Sequence, residues 1–236
     1  MTKNNDLYSR TELLLGEENI NKIKNATVMI CGVGGVGGYV AESLVRLGVG
    51  KIVFIDSDKT DVTNLNRQIL ATKETIGVSK VISAVNRANS INENGKFIPL
   101  ELFLTPENIP ALLDKYKPSC VADAIDNITA KISLAVECEK RNIPIISSMG
   151  TGNKTDPTRF VATDIYKTTV CPLARTMRRL LKEKGIKKLR VVYSDEQPIK
   201  CGENIGTLPF VPAAAGMIIS SEVMKKILEN PKDTQF

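Results

Sequence analysis

The chain has 236 residues, enough to bury a core without disulfides. Hydrophobic residues make up 42 % and charged residues 25 %, which excludes a wholly disordered chain and a multi-span membrane protein. Lysine and arginine total 32 against 26 acidic residues, so the +6 charge permits a polyanionic partner, while a histidine count of 0 excludes any histidine-based triad or metal site.

Met1 to Arg10 is polar and lacks the apolar centre of a secretory signal. No later run reads as a transmembrane anchor. A cytoplasmic protein with reduced thiols is therefore expected. The five cysteines never fall two residues apart, which argues against a four-cysteine zinc knuckle.

Ala26 to Cys31 has the pattern of a buried strand. A glycine turn follows, Gly32 to Gly38, and then helical spacing from Tyr39 to Leu47 with Gly48 as its C-cap. Lys51 to Ile55 is a second strand, ending at Asp56. The spacing predicts a helix over Val78 to Asn89 and a strand over Lys96 to Leu102. Thr105 is placed to cap a helix starting at Pro106. Cys120 to Ala124 reads as a strand, Thr129 to Lys140 as a helix, and Ile143 to Ser148 as a strand. This alternation predicts an α/β fold, a Rossmann-like, mostly parallel sheet flanked by helices.

Residues 149–236 are less regular and read as a C-terminal elaboration of one domain spanning 1–236. Met149 to Pro157 is turn-rich. Arg159 to Asp164 and Arg190 to Tyr193 are added strands, and Leu173 to Lys184 is a basic helix. Asp195 to Leu208 reads as a mobile loop. A last helix is expected from Pro212 towards Leu228, burying Ala215, Ile218, Ile219 and Val223.

Gly32, Gly34 and Gly37 fill the three positions of Gly-x-Gly-x-x-Gly, with Gly35 between them. Such a turn brings phosphate to backbone N–H groups at a helix start. Asp56, 24 residues after Gly32, is placed to accept from ribose hydroxyls. These features alone fit a nicotinamide enzyme. The next stretch, Ile55 to Gln68, adds Asp58, Asn64, Arg67 and Gln68. That much charge suits a triphosphate better than a hydride-transfer pocket. On residues alone, adenylate chemistry and dehydrogenation both stay open.

The ordered motifs Gly-Val-Gly-Gly-Val-Gly-Gly, Ile-Asp-Ser-Asp, Thr-Asn-Leu-Asn-Arg-Gln, Gly-Val-Ser-Lys and Asp-Ala-Ile-Asp-Asn resemble those of the MoeB/ThiF/HesA adenylating superfamily. Thr-Gly-Asn-Lys-Thr-Asp-Pro-Thr, Thr-Val-Cys-Pro-Leu-Ala-Arg and Phe-Val-Pro-Ala-Ala-Ala-Gly resemble its tRNA threonylcarbamoyladenosine dehydratase branch. The resemblance implies an ATP-dependent enzyme that adenylates the threonyl carboxylate of N6-threonylcarbamoyladenosine in tRNA. Intramolecular attack then expels AMP and yields the cyclic nucleoside. It also implies magnesium and a homodimer, leaves room for a sulfur-transfer protein partner, and gives no reason to expect DNA.

By the same resemblance Arg67, Lys80 and Asp126 are the catalytic residues, with Asp126 acting through magnesium. Arg67 contacts phosphate, Lys80 bridges ribose and phosphate, and Gln68 and Asn64 hold phosphate or ribose oxygens. Arg10 reaches the ATP of the neighbouring subunit, and Asp58 is a charged neighbour. Cys171, in Val-Cys-Pro-Leu-Ala, reads as structural, because the attacking atom is already on the substrate. Cys201, in Lys-Cys-Gly-Glu-Asn, has a more mobile setting that would let it lie near the substrate, which leaves a catalytic or sulfur-linked role open. Arg175, Arg178, Arg179 and Lys182 share one helical face, and with Lys184, Lys187, Lys188 and Arg190 they form the candidate tRNA surface. Alternatives are adenylation of a small sulfur-carrier protein, which the missing Cys-x-x-Cys pairs disfavour, and a nicotinamide enzyme or nucleotide-responsive binding module.

Overall fold

Two short helices outside the sequence expectations open the structure, a computed structural model that describes residues 6–202 and 205–229. They are α1 (Ser9–Leu15) and α2 (Glu17–Asn25). α2 buries only Ile20 and Ile23, too thin a stripe to mark a helix by period alone.

β1 (Thr27–Cys31) follows, then α3 (Gly37–Leu47) and β2 (Lys51–Asp56). α3 begins earlier than the apolar spacing predicts, because Gly37 and Gly38 are already helical, and it ends at Gly48 as expected. α4 (Lys80–Asn89) and β3 (Lys96–Glu101) complete the first half. The helix expected from Pro106 starts instead at Ile109. Residues 106–108 form a turn in which the Thr105 carbonyl accepts from the N–H groups of Asn108 and Ile109. That helix is α5 (Ile109–Tyr116). β4 (Cys120–Asp123), α6 (Ile128–Lys140) and β5 (Ile145–Ser148) come next.

The C-terminal part contributes β6 (Phe160–Asp164), α7 (Pro172–Glu183), β7 (Arg190–Ser194) and α8 (Phe210–Leu228). α8 begins two residues before Pro212. A proline in the first turn is tolerated there, since its absent N–H would have no helical partner. Val211, Ala215, Ile219 and Val223 form its buried stripe, with Ile218 half-buried beside it.

All seven strands join one sheet, in the order β3-β2-β1-β4-β5-β7-β6. Every pairing is parallel except β6 with β7. Alternate residues of the central strands serve opposite layers. Val28, Ile30, Ile52 and Phe54 pack with α3, α4 and α8. Met29, Cys31, Val53 and Ile55 pack with α5 and α6. Strand order reverses between β1 and β4, so the crevice beyond their carboxyl ends is the place where such sheets bind ligands. Among the described residues no helix is long and apolar enough to cross a membrane.

Candidate active site

A cavity of about 500 Å³ opens at that crevice. Gly32, Gly34, Gly35, Asp56, Asp58, Asn64, Arg67, Gln68, Lys80 and Asp126 all line it. The fold thus gathers residues from five separate sequence motifs. Gly37 and Arg10 do not line it. Gly37 acts one layer behind the cavity, where a Cβ would sit 1.8 Å from the Gly32 carbonyl oxygen. Arg10 lies exposed on α1.

The glycine turn is set by backbone contacts. Gly32 has φ of +83° and donates to the Ile55 carbonyl at 2.7 Å, and a Cβ there would meet the Ala124 carbonyl oxygen at 2.8 Å. The N–H groups of Gly34 and Gly35 have no hydrogen-bond partner among the described residues. They stand just before α3, where donors and helix dipole favour an anion.

Asp56 ends β2 with its carboxylate anchored, Oδ2 accepting from the Val33 N–H at 2.8 Å and Oδ1 from the Asp58 N–H at 2.9 Å. A carboxylate has about four acceptor sites, so ribose hydroxyls can still be accepted. Lys80 opens α4 and is buried. Its Nζ meets Asp58 Oδ2 at 2.7 Å, while Asp58 remains open to solvent. Arg67 donates from one guanidinium nitrogen to the Thr63 carbonyl at 2.7 Å and Asn66 Oδ1 at 2.9 Å. Its other N–H groups face no protein acceptor among the described residues.

Asn64 and Gln68 are buried beside it. Asn64 Oδ1 accepts from the Asp61 N–H at 3.1 Å, closing a capping box around the turn Val62–Asn64. Asp126 is exposed in the turn after β4 and makes no hydrogen bond or ion pair among the described residues. Among those residues no three His, Cys, Asp or Glu side chains cluster as a metal site. A magnesium ion that arrives with nucleotide phosphates takes one or two carboxylates, and Asp126 is a cavity carboxylate without a partner among the described residues.

Sequence reasoning missed the remaining walls. Phe103 and its neighbours Leu102 and Leu104 follow β3, and Thr151, Gly152, Ile205, Thr207 and Pro212 come from the C-terminal part. The signal was weak, because loops after strand ends carry no period. The segment expected to be a mobile loop is hydrogen-bonded to residues 153–156 instead. Glu196 accepts from the N–H groups of Thr155 and Asp156 at 2.9 and 3.0 Å. Burial pushes its carboxyl up, but these bonds outweigh burial and hold it below the usual carboxylate range. The Asn153 carbonyl and side-chain oxygens accept from Ile199 and Gly206, and Asn66 donates to the Thr207 carbonyl. Residues 203 and 204 lie outside the described residues.

Two corrections concern the basic surface. Arg178 is half-buried, and its guanidinium donates to the Thr168 carbonyl and hydroxyl, so it is committed to the fold. Arg190 is exposed, but its guanidinium pairs with the buried Glu222 at 2.7 Å. Arg175, Arg179, Lys182, Lys184, Lys187 and Lys188 stay exposed. Cys171 is buried at the start of α7, and Cys201 is exposed but outside the cavity wall. Burial pushes the Cys120 thiol up to about 12 and raises those of Cys31 and Cys138 as well, so none of the three is a ready nucleophile.

The switch-point cavity, glycine turn and converging charges define a nucleotide-binding α/β protein of the adenylating type. The family model described as ThiF family matches residues 8–236, and the chain belongs to that family. It is 42 % identical over 94 % of its length, and 95 % of the relative's, to a tRNA threonylcarbamoyladenosine dehydratase of Bacillus subtilis. Its fold is similar to the tRNA N6-threonylcarbamoyladenosine dehydratase of E. coli solved with ATP, at TM-score 0.88, 33 % identity and coverage of 94 % of this chain and 93 % of the other. The same E. coli enzyme solved with AMP gives TM-score 0.89 at 33 % identity, covering 93 % of each chain.

Proposed function

We propose that this chain is an ATP-dependent dehydratase of the threonyl carboxylate of N6-threonylcarbamoyladenosine in tRNA. The observation that carries it is one cavity holding an anchored carboxylate, two cations and, without partners among the described residues, the turn N–H groups and a second carboxylate. The full-length likeness to named dehydratases supports the choice of substrate.

ATP and the substrate carboxylate are both anionic, and preorganised positive charge is needed to bring them together. The N–H groups of Gly34 and Gly35 and the free face of Arg67 bind phosphate oxygens. Asp56 accepts from the ribose. Lys80 exchanges Asp58 for the α-phosphate as charge builds there. The substrate carboxylate oxygen attacks the α-phosphorus, the bond to the bridging oxygen breaks, and pyrophosphate leaves. A nucleophilic atom of the same threonylcarbamoyl group then bonds to the acyl carbon and gives up its proton to solvent, the acyl carbon–oxygen bond to the phosphate breaks and AMP leaves with that oxygen, so the nucleoside ends lighter by one water. Magnesium, when bound with ATP, neutralises phosphate charge, and Asp126 is the residue that would hold it. In the same reading Arg10 serves a neighbouring copy in a homodimer, and the enzyme works in the cytoplasm.

The test supplies ATP–magnesium with modified tRNA, with small carrier proteins, or with NAD in place of ATP. Pyrophosphate is expected only with ATP and modified tRNA. Release driven by a carrier protein would instead support the sulfur-carrier reading.

The exposed cations of α7 supply the tRNA surface in this reading. Arg179 pairs with Glu183 at 2.8 Å, but both are exposed, so that pair competes weakly with phosphate. The triple variant Arg175→Gln, Arg179→Gln, Lys182→Gln keeps fair helix propensity. It is expected to bind modified tRNA more weakly, with the log-affinity against log-salt slope shallower by roughly one for each phosphate no longer neutralised. ATP affinity is expected to stay unchanged. Titrations of both ligands across a salt series check this, and an unchanged tRNA slope would place the nucleic-acid surface elsewhere.

A further inference from the structure

Beneath the turn that carries Asp126 lies a buried ion pair that the proposed chemistry does not use. Lys131 Nζ stands 2.8 Å from Asp123 Oδ2, with the two side chains 0 % and 1 % exposed. Asp123 is the last residue of β4, and Lys131 lies in the first turns of α6. Together they clamp the intervening turn on both sides of one residue. Asp123 Oδ1 accepts from the Ile125 N–H at 3.2 Å, and Lys131 Nζ donates to the Ile125 carbonyl at 3.1 Å. Ser147 Oγ on the neighbouring strand β5 donates to Asp123 Oδ2 at 2.6 Å. Asn127 completes the turn by accepting from the Ala130 N–H at 2.9 Å. Asp126 sits between these anchored residues with no partner of its own among the described residues.

Stability alone is a poor reason for this arrangement. A buried ion pair seldom outperforms apolar side chains of equal volume. A cation near a helix N-terminus also opposes the helix dipole. What the pair does supply is a turn whose backbone is tied both to the sheet and to α6. We propose that Asp123 and Lys131 are positioning residues: the buried pair holds the turn so that Asp126 is presented to the cavity where it would hold the magnesium that accompanies ATP. The proposal rests on the adenylation reading above. Asp126 has no side-chain hydrogen bond or ion pair among the described residues to orient it, so its reach into the cavity depends on this backbone.

The test is a double-mutant cycle between Lys131→Gln and Asp126→Ala, with pyrophosphate release, KM for ATP and thermal melting measured on each protein. Misplacement of a reacting group by about 1 Å can cost 10²-fold, so Lys131→Gln is expected to lose roughly 10- to 100-fold in kcat. Its KM for ATP is expected to stay within about threefold of wild type, because the ribose and phosphate contacts are elsewhere. In the Asp126→Ala background the same change is expected to cost less than about twofold, since both act through one group. A folded Lys131→Gln protein with wild-type kcat overturns the proposal. So does a loss that multiplies with that of Asp126→Ala. Should Lys131→Gln fail to fold, Ser147→Ala removes only the third hydrogen bond to Asp123 and is carried through the same cycle under the same criteria.

Wild-type protein inactive towards modified tRNA would defeat the substrate reading rather than this one. Hydrogen exchange then decides the positioning role without substrate. The Ile125 amide is expected to exchange about tenfold faster in Lys131→Gln or Ser147→Ala, with β1 and β2 amides still protected. Unchanged protection at Ile125 overturns it.

Discussion

Asp126→Ala is expected to fold like wild type and to lose modified-tRNA-dependent pyrophosphate release by roughly 10²- to 10³-fold, because losing the carboxylate that would hold magnesium withdraws positive charge from the reacting phosphate. The fold should survive because the side chain is exposed and has no partner among the described residues, so truncation strands no buried group. Surface changes of that kind usually stay within about ±0.5 kcal/mol. The loss should fall on kcat more than on KM for ATP. The glycine turn, Asp56 and Arg67 still bind the nucleotide, whereas Asp126 serves the step at the reacting phosphate. Steady-state kinetics beside a circular dichroism melt separates the two effects. A well-folded variant with near wild-type kcat would remove Asp126 from the mechanism.

The opposite pattern is expected for Gly37→Ala. The new Cβ would stand 1.8 Å from the Gly32 carbonyl oxygen and 3.3 Å from Ala124 Cβ. The first of these is backbone, so α3 must retreat from the turn or the turn must open. Overpacking of this kind costs about 1–3 kcal/mol. In a domain of this size that corresponds to a melting point lower by roughly 2–12 °C. ATP affinity should fall at least about tenfold, because the N–H groups of Gly34 and Gly35 move with the turn. Calorimetric titration with ATP and a thermal melt check both halves. Unaltered ATP affinity would mean that the approach of α3 to the turn does not govern phosphate binding.

These two residues show what was legible in the chain. Gly32, Gly34 and Gly37 announce a turn by composition alone, because few other backbones tolerate such approach. Their division of labour, with Gly34 and Gly35 at the cavity and Gly37 behind it, is a three-dimensional fact. Asp56 was readable because it ends a strand after the glycine turn, and parallel topology brings strand ends together. Arg67, Lys80 and Asp126 were picked out by the resemblance of their motifs, and all three line the same cavity. The central strands were readable because burial on both faces leaves continuous apolar runs.

What escaped has physical reasons as well. α1 buries no residue and α2 only Ile20 and Ile23, too few to leave a periodic stripe. In the C-terminal wall, residues 205–207 are held at the cavity by hydrogen bonds from the Gly206 N–H to Asn153 and from Asn66 to the Thr207 carbonyl, which no local pattern encodes, and Pro212 is carried in by the first turn of α8. Arg178 shares a helical face with Arg175 and Lys182 by spacing, yet only the folded chain reveals Thr168 as its acceptor. Asp123 and Lys131 read as a strand-end acid and a helix-face base until their full burial is seen.

The central claim is that this cavity joins ATP cleavage to loss of water from one tRNA nucleoside. The most direct measurement incubates the protein with ATP–magnesium and tRNA carrying N6-threonylcarbamoyladenosine, then counts AMP and pyrophosphate while mass spectrometry follows the nucleoside. One AMP and one pyrophosphate should appear for each nucleoside that becomes lighter by one water, and unmodified tRNA should yield neither. Dehydrated nucleoside formed without AMP, or AMP released equally with unmodified tRNA, would contradict the account.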